Sequence, residues 1–167
     1  MARSEEESSD HCPFSGHAII AGFGVPGRAV ADFLAARGVE FCVVELNPKT
    51  VERCSHNGVH IIAGDVCDED TLRQAGVGRA KLLVLAVPND AAVLEAVHVA
   101  RRLSATVPIL ARCRFISSGM EAHRRGANHV VIEEQVVGSE MTRLLESAGV
   151  LRGDFDHTTM PATEAAR

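Results

Sequence analysis

The chain has 167 residues, 46% of them hydrophobic, which suffices for one domain around a single core and is too little for two ordinary ones. A formal net charge of -5, with Lys and Arg scattered rather than gathered in a tract, argues against a polyanion-binding surface, so no nucleic-acid partner is expected. No apolar run reaches the roughly 18 residues of a membrane span, and the N-terminus MARSEEESSDH is acidic where a signal peptide is basic; neither direct membrane insertion nor export is expected, and the chain reads as cytoplasmic.

Residues 1–16 are rich in Ser, Glu and Asp, end in CPFSG, and read as an acidic, mobile tail with no core of its own. From His17 onward, short β-branched runs alternate with segments of helical spacing. HAIIAG leads into PGRAVADFLAARG, EFCVVEL into NPKTVERCSHNG, and VHIIAGD into DEDTLRQAGVG. KLLVLAVP, VPILARC and HVVIEE are followed in turn by NDAAVLEAVHVARRLS, SSGMEAHRRGA and QVVGSEMTRLLESAG. The strands are apolar at nearly every position, as expected when both faces of a parallel sheet are covered, and several helices are followed by a glycine that can cap them. This βαβ alternation predicts an α/β fold: a doubly wound, Rossmann-like parallel sheet of six strands, in a single domain over 17–150. Residues 151–167 lose periodicity and read as a C-terminal tail.

Five cysteines (Cys12, Cys42, Cys54, Cys67, Cys113) at wide spacings, with no C-x-x-C, imply no disulfide framework. Cys54 and His56 are considered as a metal pair, but no histidine has a second ligand set at zinc-like spacing in the sequence, so no metal site is expected. Trp and Tyr are absent, which removes the usual stacking platform for single-stranded nucleic acid.

The stretch IIAGFGVPGRAV places Gly22, Gly24 and Gly27 in a G-x-G-x-x-G pattern between the first strand and the first helix. Gly22 permits the tight turn, Gly24 lets the main chain approach a pyrophosphate, and Gly27 lets the helix pack closely on the sheet, with phosphates at the helix N-terminus. Glu45, at the end of the second strand and 18 positions after Gly27, is placed to accept hydrogen bonds from the ribose hydroxyls of an adenosine and to repel a 2′-phosphate, so NADP is disfavoured. The alternative for Glu45 is a solvated strand-end carboxylate. Gly64 and Asp65 end the third strand near the adenine side of the crevice, although a turn or capping role for Asp65 is nearly equivalent. Pro26 removes one phosphate donor; Arg28 either compensates or is a solvated helix residue.

With VVELNPKTVERC, IIAGDVCDEDTLRQAGVGRAKLLVLAVPND, ILARCR and RRGANHVVIEEQVVGSEMTRLL added to the glycine loop, residues 17–146 resemble the N-terminal Rossmann domain of regulators of K+ conductance, the TrkA-N or KTN domain. The string G-D-x-x-x-x-x-x-L-x-x-A-G-V before a strand ending in AVPND is the most specific part, and the stretch from ILARCR to VVIEEQ looks most like domains of Kef-type cation/proton antiporters. The resemblance implies a cytoplasmic regulatory module, peripheral to the inner membrane through its partner, that binds NAD(H) or AMP, ADP or ATP. It further implies control of a membrane cation transporter or potassium channel subunit, and a homodimer. Carried onto this sequence, Gly22, Gly24 and Gly27 with intervening Phe23, Val25 and Pro26 form the phosphate loop. Glu45 and Leu46 hold the ribose, Asp65 and Val66 lie by the adenine, and Val87, Pro88 and Asn89 close over the phosphate or nicotinamide side. Arg112 meets ligand phosphates or a dimer partner, as does Arg114; the alternative for both is a solvated or salt-bridged arginine. Val25 departs from the family, which often has a basic residue there.

No catalytic residue is assigned. The competing reading, a small NAD-dependent oxidoreductase, would need an acid or base such as His98 or His123, and both fall within helical segments.

Overall fold

The computed structural model describes residues 11–56 and 58–148. The expected C-terminal tail lies outside them, as do residues 1–10 of the N-terminal one. Six strands form one parallel sheet in the order β3-β2-β1-β4-β5-β6: β1 (Ala18–Ala21), β2 (Phe41–Glu45), β3 (Ile61–Ala63), β4 (Leu82–Leu85), β5 (Ile109–Cys113) and β6 (His129–Ile132). Helices α1 (Val25–Ala35), α2 (Pro48–His56), α3 (Glu69–Gln74), α4 (Asp90–Leu103) and α5 (Ile116–Arg124) connect them, and α6 (Glu133–Ser147) follows β6. The doubly wound, six-stranded parallel fold read from the sequence is therefore the fold of the chain. Its order reverses between β1 and β4, which places a crevice at their carboxyl ends.

The burial of β1 explains its sequence. Ile19 and Ala21 join a core with Val44, Leu85, Val93 and Val97, while Ala18 and Ile20 join another with Val43 and with Ala31 and Leu34 of α1. A strand buried on both faces cannot alternate apolar with polar residues, and each fully buried Ile or Leu contributes about 1.5–3 kcal/mol. The edge strands depart from that pattern: β3 is three residues long with Ala63 exposed, and in β6 His129 and Val131 are exposed. Among the described residues one side of each has no neighbouring strand, so continuous apolarity overstated their length and burial.

Two other boundaries differ from the sequence reading. DEDTLRQAGVG is not one helix: α3 stops at Gln74, Gly76 takes a left-handed conformation (φ 74°), and a 3-10 turn spans Val77–Arg79. The last residues assigned to the N-terminal tail are packed instead. Cys12 is buried, its N–H donates to Gln74 O (2.8 Å), and the Arg79 guanidinium donates to the carbonyls of Cys12 and Phe14. Cys12 of CPFSG belongs to the core and Phe14 packs against it, which the acidic composition upstream disguised.

Contacts divide the chain into two units, one ending at Glu133 and one starting at Glu134. The second contains almost all of α6, which has no buried residue and carries exposed Val136, Val137, Met141, Leu144 and Leu145.

Among the described glycines the tightest approach is at the start of α1 against the end of β1: a Cβ added to Gly27 would lie 2.0 Å from Gly22 O. Gly27→Ala should therefore force α1 off the sheet and cost about 1–3 kcal/mol or more, read as a lower urea midpoint at unchanged m-value. Wild-type stability in this variant would show that the helix has room to retreat.

Candidate functional site

The carboxyl ends of four strands surround a cleft of about 460 Å³, within the size range of small-molecule sites. Gly22 lines it after β1, residues 44–47 after β2, residues 64–66 after β3, and residues 87–89 with Ala92 after β4. Of the residues expected from the sequence, Gly22, Glu45, Leu46, Gly64, Asp65, Val66, Val87, Pro88 and Asn89 come together here. Val44, Asn47 and Ala92 are additional. They were not singled out because an apolar strand residue, a polar turn residue and a helix alanine carry no motif; only strand register and helix phase bring them to the wall.

Phe23, Gly24, Val25, Pro26 and Gly27 form the turn and first residues of α1 beside the cleft without lining it. The three glycines differ in what they meet. Gly22 has φ +89°, and a Cβ there would lie 3.0 Å from the Val87 main chain, so both conformation and space require glycine. Gly27 is held by packing. Gly24 is at the N-cap of α1 with φ -72° and ψ -165°, which any residue adopts, and a Cβ there meets nothing closer than Pro26 Cδ at 4.0 Å. Pro26 occupies the first turn of α1, where its missing N–H has no intrahelical acceptor to lose.

Glu45 does more than stand at a strand end. Its Oε2 accepts from Phe23 N–H (2.8 Å) and its Oε1 from Asn47 N–H (2.9 Å), so the carboxylate ties the glycine turn to the end of β2. Carboxylate oxygens each have a second lone pair, which leaves acceptor capacity toward a hydroxyl. Asp65 takes the turn role as well as lining the cleft: its Oδ1 accepts from Cys67 N–H (2.9 Å). Burial, with the Asp65 hydrogen bond and charge adding to it, pushes the neighbouring Cys67 thiol up to about 12, so this sulfur is a neutral donor rather than a nucleophile. Asn89 caps α4, accepting from Ala92 N–H (3.0 Å).

None of Arg28, Arg112 and Arg114 lines the cleft. Arg28 Nε donates to Phe23 O (3.1 Å), with its guanidinium 5.8 Å from the Phe23 ring. Arg112 pairs with Glu133 and donates to Ala86 O (3.2 Å), just outside the cleft wall. Arg114 lies 5.8 Å from the Phe115 ring, and its main-chain N–H donates to Asp90 (2.8 Å). His98 and His123 are exposed on α4 and α5 and do not line the cleft.

Sheet order, glycine turn and strand-end carboxylate together define a Rossmann-type domain with its crevice at the switch point. The TrkA-N domain family model matches residues 18–133, and the chain belongs to that family. YbaL of Escherichia coli (strain K12), named a cation/proton antiporter, is 29% identical over 143 residues, covering 86% of this chain and 26% of its own length. KefB of Alkalimonas amylolytica, named a K+ efflux antiporter, is 32% identical over 126 residues, covering 75% of this chain and 19% of its own. The chain thus spans about a quarter or less of these relatives. The solved TrkA-N domain of the E. coli inner membrane protein ybaL superposes with a TM-score of 0.77 at 28% identity, covering 80% of this chain and 99% of that domain. A Shewanella denitrificans Kef C-terminal domain in AMP-bound form gives 0.65 at 28%, covering 82% and 90%. The GsuK channel bound to NAD gives 0.66 at 25%, covering 71% and 22%.

Asp90, beside Asn89, links the cleft loop to the start of α5. Burial alone would raise its pKa, but hydrogen bonds from Ser118 and from the Arg114 and Phe115 amides, with the Arg114 charge, hold it below the usual carboxylate range. A depressed folded-state pKa stabilises the fold above the unfolded-state value, and that contribution is lost as pH falls through the folded value. Asp90→Asn should therefore cost about 1 kcal/mol at neutral pH and flatten the acid limb of a denaturant-stability profile. A profile superimposable on wild type would remove Asp90 from that role.

Proposed function

We propose that the chain is a regulatory nucleotide-binding module: its cleft takes NAD(H) or an adenine nucleotide (AMP, ADP or ATP), and ligand state is passed to a membrane cation transporter or potassium channel. The observation that carries this reading is Gly24. Neither its backbone conformation nor its surroundings demand glycine, so what a side chain there would obstruct is a molecule approaching from outside. The phosphates sit against the N-terminus of α1, where free N–H groups and the helix dipole favour negative charge. The adenosine ribose meets Glu45, and the adenine lies toward Asp65 and Val66.

The NAD and AMP states of the GsuK and Kef neighbours support this class of ligand. Both cleft carboxylates are already bonded to main-chain amides, an arrangement suited to holding a ligand rather than to moving protons. Regulation then needs only different affinities for the ligand in two conformations. The partner is a cation antiporter or channel of the kind its relatives are named for, the working form is a homodimer, and the place is the cytoplasmic face of the membrane bearing the partner. Among the described residues, no helix is long and apolar enough to cross a membrane.

Calorimetric titration of nucleotide-stripped protein with NAD, NADH, AMP, ADP and ATP, beside NADP, tests the reading. Ligands lacking a 2′-phosphate should bind, and NADP should bind about tenfold more weakly or worse, because Glu45 repels the extra phosphate. Gly24→Val should abolish binding with the thermal midpoint unchanged. Glu45→Ala should weaken it by about 1–3 kcal/mol and also lower stability, since Phe23 N–H loses its acceptor. Silence with every nucleotide, or full affinity in both variants, would sink the proposal.

A further inference from the structure

At the other end of the sheet, three side chains distant in sequence meet in the core. Cys12 comes from the segment preceding β1, His17 from the residue before β1, and Cys42 from the start of β2. All three are buried, at 1%, 0% and 0% exposure, and their ligating atoms lie within 4.8 Å of one another. His17 Nε2 pairs with Ala75 O at 2.8 Å, which makes Nε2 the protonated nitrogen and leaves Nδ1 a bare lone pair. That Nδ1 is buried and has no hydrogen-bond partner.

We propose that Cys12, His17 and Cys42 form a site for a thiophilic divalent cation, zinc first among them. Buried cysteine alone is ordinary packing, because a thiol behaves as a small hydrophobe. A wholly buried imidazole with one nitrogen unmet, beside two sulfurs, is not explained by packing. A metal answers it, whereas a disulfide between the two cysteines would leave Nδ1 as it is. Zinc bonds of about 2.3 Å to sulfur and about 2.0–2.1 Å to nitrogen set tetrahedral donor separations of roughly 3.5–3.8 Å, so the cluster closes on an ion if its donor separations shorten by up to about 1.3 Å. The Nε2–H bond to a main-chain carbonyl is also the support that fixes a liganding histidine's ring and tautomer.

The charges balance. One divalent cation replaces the two thiol protons, which pass to solvent, and the resulting dithiolate–imidazole centre is neutral, as a core requires. The change costs the weak Cys42 Sγ contact to Ala75 O at 3.8 Å and the thiol–thiol hydrogen bond between Cys12 and Cys42. The fourth tetrahedral position is open in this set. The consequence is mechanical: the ion bolts the segment entering β1 to the sheet, where Arg79 already holds the carbonyls of Cys12 and Phe14.

The test is elemental analysis of the full chain, purified under reducing conditions from zinc-supplemented medium, as wild type, Cys12→Ser, Cys42→Ala and Cys54→Ser, followed by exchange into cobalt. Near one zinc per chain is expected in wild type and in Cys54→Ser, and about tenfold less or lower in Cys12→Ser and Cys42→Ala. Thiolate-to-cobalt charge-transfer absorption should appear in wild type and vanish in those two variants. A chelator should lower the thermal midpoint of wild type and leave that of Cys12→Ser unmoved. Cys12 precedes the first strand, so its replacement leaves the sheet intact, and Cys42→Ala provides a second reading should Cys12→Ser fail to fold. Wild type that takes up neither zinc nor cobalt, cobalt without thiolate bands, or metal undiminished in Cys12→Ser overturns the proposal.

Discussion

How near the first helix can come to the first strand decides what the carboxyl end of the sheet can do. Gly22 turns the chain with a positive φ, and Gly27 allows its own Cα to sit where a Cβ would strike the Gly22 carbonyl at 2.0 Å. That approach aims the N-terminus of α1 at the point where strand order reverses. Everything else at the cleft is arranged around it. Glu45 reaches across from β2 to the Phe23 amide and holds the turn, and Val87 packs against Gly22 from the loop after β4. The glycine turn, the start of α1 and the loop after β4 are thus held against one another by contacts of the domain itself.

The sequence was most readable where one physical cause dominated. Unbroken apolar runs such as KLLVLAVP follow from burial on both faces, and they marked the sheet and its parallel pairing. The glycine pattern followed by Glu45 marked the crevice because Gly22 and Gly27 each answer a steric need local to them, and Glu45 ends the neighbouring strand at the same level. Where two causes competed, the reading blurred. VHIIAGD looked as long as a central strand, but as an edge strand β3 has only three residues. DEDTLRQAGVG kept helical spacing past the point where Gly76 turns left-handed.

Features that depend on tertiary approach were out of reach. Nothing in the spacing tells that the Glu45 carboxylate caps the Phe23 amide, or decides between phosphate contact and salt bridge for Arg112, which pairs with Glu133 and donates to the Ala86 carbonyl. Asn47 and Ala92 join the wall through turn geometry and helix phase. The gathering of Cys12, His17 and Cys42 was equally hidden. Cys12 lay in what composition marked as a tail, and Cys42 reaches His17 only through the pairing of β2 with β1. The two ends of the sheet consequently have different characters: at one a cleft opens between the strand-end loops, and at the other sulfur and imidazole are closed into the core.

The most direct measurement of the central claim is a titration of isotopically labelled protein with AMP and with NAD, followed by amide chemical shifts. A nucleotide seated in the cleft should move the amides of Phe23, Gly24, Leu46, Asp65 and Asn89 in a saturable manner while those at the opposite end of the sheet, His17 and Cys42 among them, stay still. Shifts confined to other surfaces, or an unchanged spectrum at saturating nucleotide, would contradict the assignment of this cleft as the place where the ligand binds.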